Sequence, residues 1–138
     1  MQTQEARRIL DAARAEAEKM GKPVTIVVVD STGAPVVMER LDGTAPMTTM
    51  IAEGKAAGSA FTGRDSSLLK AMADNVPAIA AAVGARLGGR FVAVQGAVVL
   101  KKGGAVVGAV GVSGATSEED EQIARAGAAV VANGEGLA

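Results

Sequence analysis

Lys55 is the residue whose position most strongly suggests chemistry. It falls four residues after Ile51 and three before Gly58, on the apolar stripe of a predicted helix that is otherwise rich in alanine and glycine. A lysine there can serve as a ligand-binding cation, or as an amine of lowered pKa that acts as a base or forms a Schiff base. The alternative is a stem that lies along the core with its ammonium at the edge. Gly54 and Gly58 beside it predict room for a ligand.

A second cation, Arg40, lies near the end of a predicted strand, two residues before Asp42. Its guanidinium can hold a carboxylate or phosphate in bidentate fashion, or it can pair with Asp42 or with a neighbouring subunit. The glycine-rich turn at 111–114 leads into a helix whose first turn is acidic, so the turn alone is not expected to bind phosphate. Ser113 still offers a hydroxyl. We therefore predict a ligand-binding pocket formed by Arg40, Asp42, Lys55, Gly111 and Ser113.

The composition excludes much common site chemistry. The chain has no cysteine, histidine, tryptophan or tyrosine, which excludes thiol nucleophiles, imidazole bases and zinc sites with nitrogen or sulfur ligands. Its 14 basic and 15 acidic residues are spread along the chain, so neither nucleic-acid nor membrane binding is expected. The carboxylates of Glu39, Asp42 and Glu53 form no recognised metal loop, and no metal site is predicted. Residues 1–20 lack the apolar core of a signal peptide, so a cytoplasmic location is expected.

The elements that must position these residues follow from hydrophobic periodicity and turn signals. We expect one domain over residues 1–138, with a flexible tail at 134–138. Helices are predicted at 3–20, at 46–61, within 66–87 with a break or kink at Pro77, and at 117–133. Strand-like runs are predicted at 23–30, 34–41, 91–94, 97–100 and 105–112. This order predicts an α+β fold in which helices pack on a mainly antiparallel sheet.

Three local features carry structural expectations. Asp30 stands beside a turn, where its carboxylate can accept amide hydrogens as in an Asx turn. Ser117 and Asp120 resemble a capping box at the start of the last helix. The strands at 23–30 and 105–112 are apolar on both faces. If helices covered only one face, another copy of the chain would have to bury the other, and this predicts a homo-oligomer.

Five motifs follow one another along the chain and together cover most of residues 3–132: Val27–Asp30 with Gly33, Glu39–Gly43, Ile51–Ala56, Val107–Gly114 and Asp120–Ala124. In this order they resemble the GlcG/HbpS-like family, which includes haem-binding proteins and the PduO C-terminal domain. The resemblance implies a profilin-like fold with about five antiparallel strands and flanking helices, and it implies oligomers. It also implies a haem- or corrinoid-associated protein, a sensor, or an accessory to small-molecule catabolism.

Two functions remain open. The first is a small-ligand binding or accessory protein whose ligand is a compact anionic metabolite or a tetrapyrrole such as haem. Haem ligation by histidine, cysteine or tyrosine is excluded, which leaves Met47, Met50 and Lys55 as candidate iron ligands. The second is a cofactor-independent isomerase or lyase in which Lys55 is the base or amine. In that enzyme Arg40 holds a substrate carboxylate, and Asp42 or Glu39 moves a proton.

Overall fold

The computed structural model describes residues 1–132, so the predicted tail at 134–138 lies outside the described residues. This part of the chain forms five helices and four strands, in the α+β order that the periodicity predicts. The elements are α1 (Thr3–Met20), β1 (Thr25–Asp30), β2 (Pro35–Arg40), α2 (Thr48–Thr62), α3 (Ser66–Asn75), α4 (Pro77–Arg86), β3 (Ala97–Lys102), β4 (Ala105–Ser113) and α5 (Ser117–Ala132).

The four strands form one antiparallel sheet in the order β2-β1-β4-β3. Each hairpin therefore keeps its own two strands together, and the hairpins join through β1 and β4 at the centre. Thr25 lies opposite Ser113 across that central pair, and Val28 lies opposite Val110. Because side chains alternate between the two faces, successive residues of β1 point into two different cores, one on each face of the sheet.

Helices cover both faces of the sheet. On one face α1 and α5 pack against Ile26 and Val28 of β1, with Ile9 and Ile123 buried between them. On the other face α2 packs its alanines against Val27 and Val29. The premise that one face needs a second chain to bury it is therefore wrong, and the apolar strands by themselves no longer argue for an oligomer.

The expected strand at 91–94 is not formed, so the described sheet has four strands rather than about five. The backbone N–H of Val92 donates to the carbonyl of Gly54 in α2, at 3.2 Å. This segment is therefore held by a helix and crosses over α2 without joining the sheet edge. Its β-branched and aromatic residues are the ones that strands favour, which is why the composition misleads here.

Turns and helix ends explain most of the remaining boundaries. Asp30 caps the first hairpin as predicted: its Oδ1 accepts the Thr32 N–H at 2.8 Å, the Thr32 hydroxyl at 2.6 Å and the Ala34 N–H at 3.2 Å. These bonds to the charged form lower the pKa of Asp30. Pro77 is the first residue of α4, so the 66–87 region is two helices rather than one kinked helix.

The start of α5 is capped one residue earlier than the sequence suggests. Thr116 Oγ1 accepts the N–H of Glu119, and Glu119 Oε1 accepts the N–H of Thr116 in return. This reciprocal pair is the capping box, whereas Ser117 and Asp120 are not. Asp120 is thereby left to point into the protein.

No helix within residues 1–132 is long and apolar enough to cross a membrane.

Candidate functional site

Lys55 is deeply buried rather than placed at an edge. Its side chain is 3% exposed, and its Nζ donates to the carbonyl of Val112 in β4 at 2.9 Å and to Asp120 Oδ2 at 3.2 Å. Gly96 closes the pocket, since a Cβ there would stand 2.6 Å from the lysine nitrogen. The amine is therefore enclosed by protein atoms, with no space beside it for a carbonyl substrate.

Asp120 is the counterion of that lysine and joins it to α5. Its side chain is 4% exposed, and its Oδ1 accepts the N–H of Ala115 at 2.9 Å. Burial raises the pKa of Asp120, and the bonds from Ala115 and Lys55 oppose that rise. The pair ties α2, β4 and α5 together, so its geometry is that of a structural ion pair between layers.

Ser113 and Arg40 share one row of the sheet but are separated within it. Thr25 lies between them, opposite Arg40 on one side and opposite Ser113 on the other. The hydroxyl of Thr25 is hydrogen-bonded to that of Thr48 at 2.8 Å, and both threonines are buried. Thr25 is therefore buried between the exposed Arg40 and the buried Ser113.

Arg40 and Asp42 line a shallow polar cleft beside α1, with a volume of about 240 Å³. The cleft also contains Arg14, which is paired with Glu39 at 3.0 Å. The Glu39 carboxylate raises the pKa of Arg14. With Glu18 included, three carboxylates face two guanidinium groups, and this balance does not favour an anion.

The space beside the glycines that were expected to leave room for a ligand is instead occupied by neighbouring parts of the chain. A Cβ on Gly54 would stand 2.6 Å from a methyl group of Val92, and one on Gly58 would stand 2.7 Å from the Phe91 ring. A Cβ on Gly111 would overlap the Ala52 carbonyl oxygen. The structure thus brings Lys55 near Gly111 and Ser113 through β4, but it does not bring Arg40 and Asp42 into that group.

A groove between α3 and α4, which the sequence reasoning missed, is a better candidate for a ligand site. It has two lobes with volumes of about 360 and 320 Å³, and both lobes are lined by Arg64, Met72 and Val76. One lobe extends to Leu68, Ala71 and Asn75, and the other extends to Thr62, Ile79 and Val83. Volumes of this order are typical of small-molecule sites.

The charge of this groove comes from Arg64 alone. No acidic residue lines either lobe. Within residues 1–132 the Arg64 side chain has no ion-pair or hydrogen-bond partner, whereas Arg14, Arg90 and Arg125 all face carboxylates. An unpaired guanidinium among apolar walls attracts an anion whose body is apolar.

The groove walls are accessible from solvent. Leu68 is 56% exposed, Val76 is 42% exposed and Ile79 is 54% exposed. Of the ten residues of α4, only Ala80 is buried, although the helix is mostly alanine with Ile79 and Val83. The sequence feature that could have indicated this groove is therefore the short helix α4, which is apolar on more sides than one core can cover.

Comparisons with known proteins agree on one family. The model of the family described as haem degrading protein HbpS-like matches residues 1–129. A double mutant of HbpS from Streptomyces reticuli is 31% identical, with a TM-score of 0.85 over 95% of this chain and 86% of that chain.

Two further solved structures share the fold at lower identity. The PduOC–haem complex is 23% identical, with a TM-score of 0.84 over 95% of this chain and 94% of that one. The ORFY protein of Klebsiella pneumoniae is 21% identical, with a TM-score of 0.85 over 96% of this chain and 90% of that one. No curated protein matches the chain. The family model spans nearly the whole described chain and the HbpS match exceeds 30% identity, so this protein belongs to the HbpS-like family.

Proposed function

We propose that this protein binds haem, or a similarly flat apolar ligand with carboxylate groups, in the groove between α3 and α4. The observation that carries the proposal is the unpaired Arg64 set among apolar side chains in both lobes of the groove. A porphyrin has an apolar body and two carboxylates at one edge. The groove offers the complementary arrangement, an apolar surface with one guanidinium that can bind a carboxylate in bidentate fashion.

The residues present fit such a ligand without histidine. Met72 lines both lobes, and a methionine thioether is an established haem-iron ligand. Lys55 is buried against Asp120, and Met47 and Met50 line neither lobe. Met72 would therefore hold the iron, Arg64 would orient the carboxylates, and Leu68, Val76 and Ile79 would exclude water. Haem, when bound, supplies redox chemistry.

The relatives support a haem ligand over the alternatives. The family is described as haem degrading, and the PduOC relative was solved with haem. A compact anion has less to gain here, because it would leave the apolar walls of the groove wet. The isomerase or lyase has no support, since the lysine it requires is enclosed and paired.

Haemin titration followed by absorption spectroscopy tests the proposal. We expect a Soret shift at micromolar protein, with binding weakened at least about tenfold by Arg64→Ala, which equals ~1.4 kcal/mol. Arg86→Ala is the matched control, because Arg86 is an exposed arginine at the end of α4 that lines neither lobe. It should leave the affinity unchanged.

A pair of methionine variants tests the iron ligand separately. Met72→Leu keeps the volume of the side chain but removes the sulfur, so it should abolish the spectral signature of a thioether-ligated iron. Met50→Leu makes the same change on an exposed methionine outside the groove and should preserve that signature. Absence of a Soret shift in the wild-type protein, or equal effects of Arg64→Ala and Arg86→Ala, would contradict the assignment.

A further inference from the structure

The sheet has two edge strands, β2 and β3, and the β3 edge is closed by side chains from the start of α3. The register of β3 against β4 turns the backbone of Ala97 and Val99 outward. The N–H of Ala97 donates to Ser66 Oγ at 2.7 Å, and the N–H of Val99 donates to Asp65 Oδ1 at 3.0 Å. These two side chains therefore take the place that a further strand would have along this edge.

The edge formed by β2 has no such cover within residues 1–132. The N–H of Leu41 donates to the carbonyl of Val24 at 3.0 Å, which fixes the phase of the ladder between β1 and β2. In that phase Glu39 bonds towards β1, whereas the N–H and C=O groups of Met38 and Arg40 point away from it. Neither outward N–H has a hydrogen-bond partner in the described part of the chain. An open edge of this kind is a template for one more strand.

A trough between α1 and β2 runs along this open edge. Its first part has a volume of about 380 Å³, and its second part is the polar cleft of about 240 Å³ described above. Arg14 and Glu39 line both parts, so the two are continuous. The trough follows the chain from residue 36 to residue 42, which is about 20 Å of extended strand. It can therefore take the alternate side chains of an added strand.

The charges of the trough differ between its two parts. Arg7 lines the first part and has no ion-pair partner within residues 1–132, whereas Asp11 beside it is paired with Arg14 at 3.5 Å. The second part has three carboxylates for two guanidinium groups, and Glu18 and Asp42 are among those carboxylates. The first part therefore favours an acidic side chain, and the second part favours a basic one.

We propose that the β2 edge binds an extended segment of a partner protein, which joins the sheet as a fifth strand antiparallel to β2. Met38 and Arg40 supply the main-chain hydrogen bonds, in the manner of other peptides that add to a sheet edge. The antiparallel direction continues the pattern of the sheet and is the more stable pairing per residue.

The direction of the added strand sets the order of its charges. Its side chains opposite Val37, Glu39 and Leu41 lie on the α1 side of the sheet, in the trough. An antiparallel segment runs from Leu41 towards Val37, so its basic side chain comes first and its acidic side chain comes four residues later. The proposal does not rest on haem binding, because the trough shares no residue with the groove between α3 and α4.

The peptide Lys-Val-Thr-Val-Glu, blocked at both ends and labelled with a dye, is the probe for fluorescence anisotropy. The reversed peptide Glu-Val-Thr-Val-Lys has the same composition and should bind at least about fivefold more weakly, because both of its charges then face like charges. N-methylation of the two valines removes the N–H groups that face β2 and should weaken binding at least about tenfold. N-methylation of the threonine, whose N–H points away from β2, should weaken binding less.

A pair of protein variants tests the position of the peptide. Arg7→Glu should weaken binding of the probe at least about threefold, because it places a carboxylate beside the acidic end of the peptide. Lys19→Glu is the matched control, since Lys19 is an exposed cation on the same helix that lines neither part of the trough. It should leave the affinity unchanged.

Hydrogen exchange resolved at single amides tests the pairing directly. The amides of Met38 and Arg40 should exchange quickly in the free protein and slowly with saturating probe, whereas those of Glu39 and Leu41 should exchange slowly in both states. Unchanged exchange at Met38 and Arg40, or equal effects of N-methylation on valine and threonine, would overturn the proposal. So would protection of these two amides without peptide, because a second copy of the chain would then cover the edge.

Discussion

Replacing Lys55 with methionine tests whether the buried ion pair holds the layers together. Methionine keeps most of the length of the side chain, so the change removes the charge with little loss of packing. Asp120 would then be a 4% exposed carboxylate without its cation. Breaking a buried pair from one side costs about 3–5 kcal/mol. Because a domain is stable by only about 5–15 kcal/mol, the variant should lose a large part of its free energy of unfolding.

The pH dependence of that cost identifies its electrostatic origin. Burial already raises the pKa of Asp120 above its usual value of 3.8, and removal of the cation raises this pKa further. A carboxyl whose folded pKa is raised binds a proton more tightly in the folded state. Its contribution to stability is therefore fully present below about pH 4 and is lost as the pH rises through the folded pKa. The deficit of Lys55→Met should accordingly shrink as the pH is lowered from 7 towards 4.

Equilibrium urea unfolding of three proteins at several pH values provides the measurement. The third protein is the double variant Lys55→Met with Asp120→Asn, in which the buried charge is gone and the amide oxygen can still accept the Ala115 N–H. It should recover much of the stability that Lys55→Met loses at pH 7. A single-variant cost below about 1 kcal/mol, the same at every pH, would refute a buried charge pair.

Two pairs of substitutions test smaller features of the fold by the same unfolding measurement. Gly111→Ala should cost at least ~2 kcal/mol, because its Cβ would overlap the Ala52 carbonyl oxygen, whereas Gly84→Ala has space and should be neutral or stabilise α4 by up to about 1 kcal/mol. Equal effects at the two glycines would mean that β4 and α2 do not approach this closely. Thr116→Ala should cost about 1 kcal/mol through loss of the α5 cap. Ser117→Ala should cost less, and the reverse order would place the cap at Ser117.

The elements of this fold could be predicted from local patterns because their causes are local. The α1 periodicity places Ala6, Ile9 and Ala13 on one face, and all three are fully buried. The hydrogen-bond partners of Asp30 lie within four residues of it, so its role in the hairpin could also be predicted from the sequence. The prediction of a strand at 91–94 was wrong because the conformation of this segment depends on a contact distant in sequence, the hydrogen bond from Val92 to Gly54.

The candidate site could not be predicted because the pairing of charges is a property of the folded chain. Lys55 was singled out correctly as an odd cation on an apolar stripe, but its counterion is 65 residues away. Asp120 was interpreted as a helix cap, so the lysine was left free in the predicted pocket. Folding pairs Lys55 inside and leaves Arg64 unpaired outside, although nothing in the local sequence of Arg64 distinguishes it. Which cations have a protein partner, and which of them line a groove, are properties that only three-dimensional contacts show.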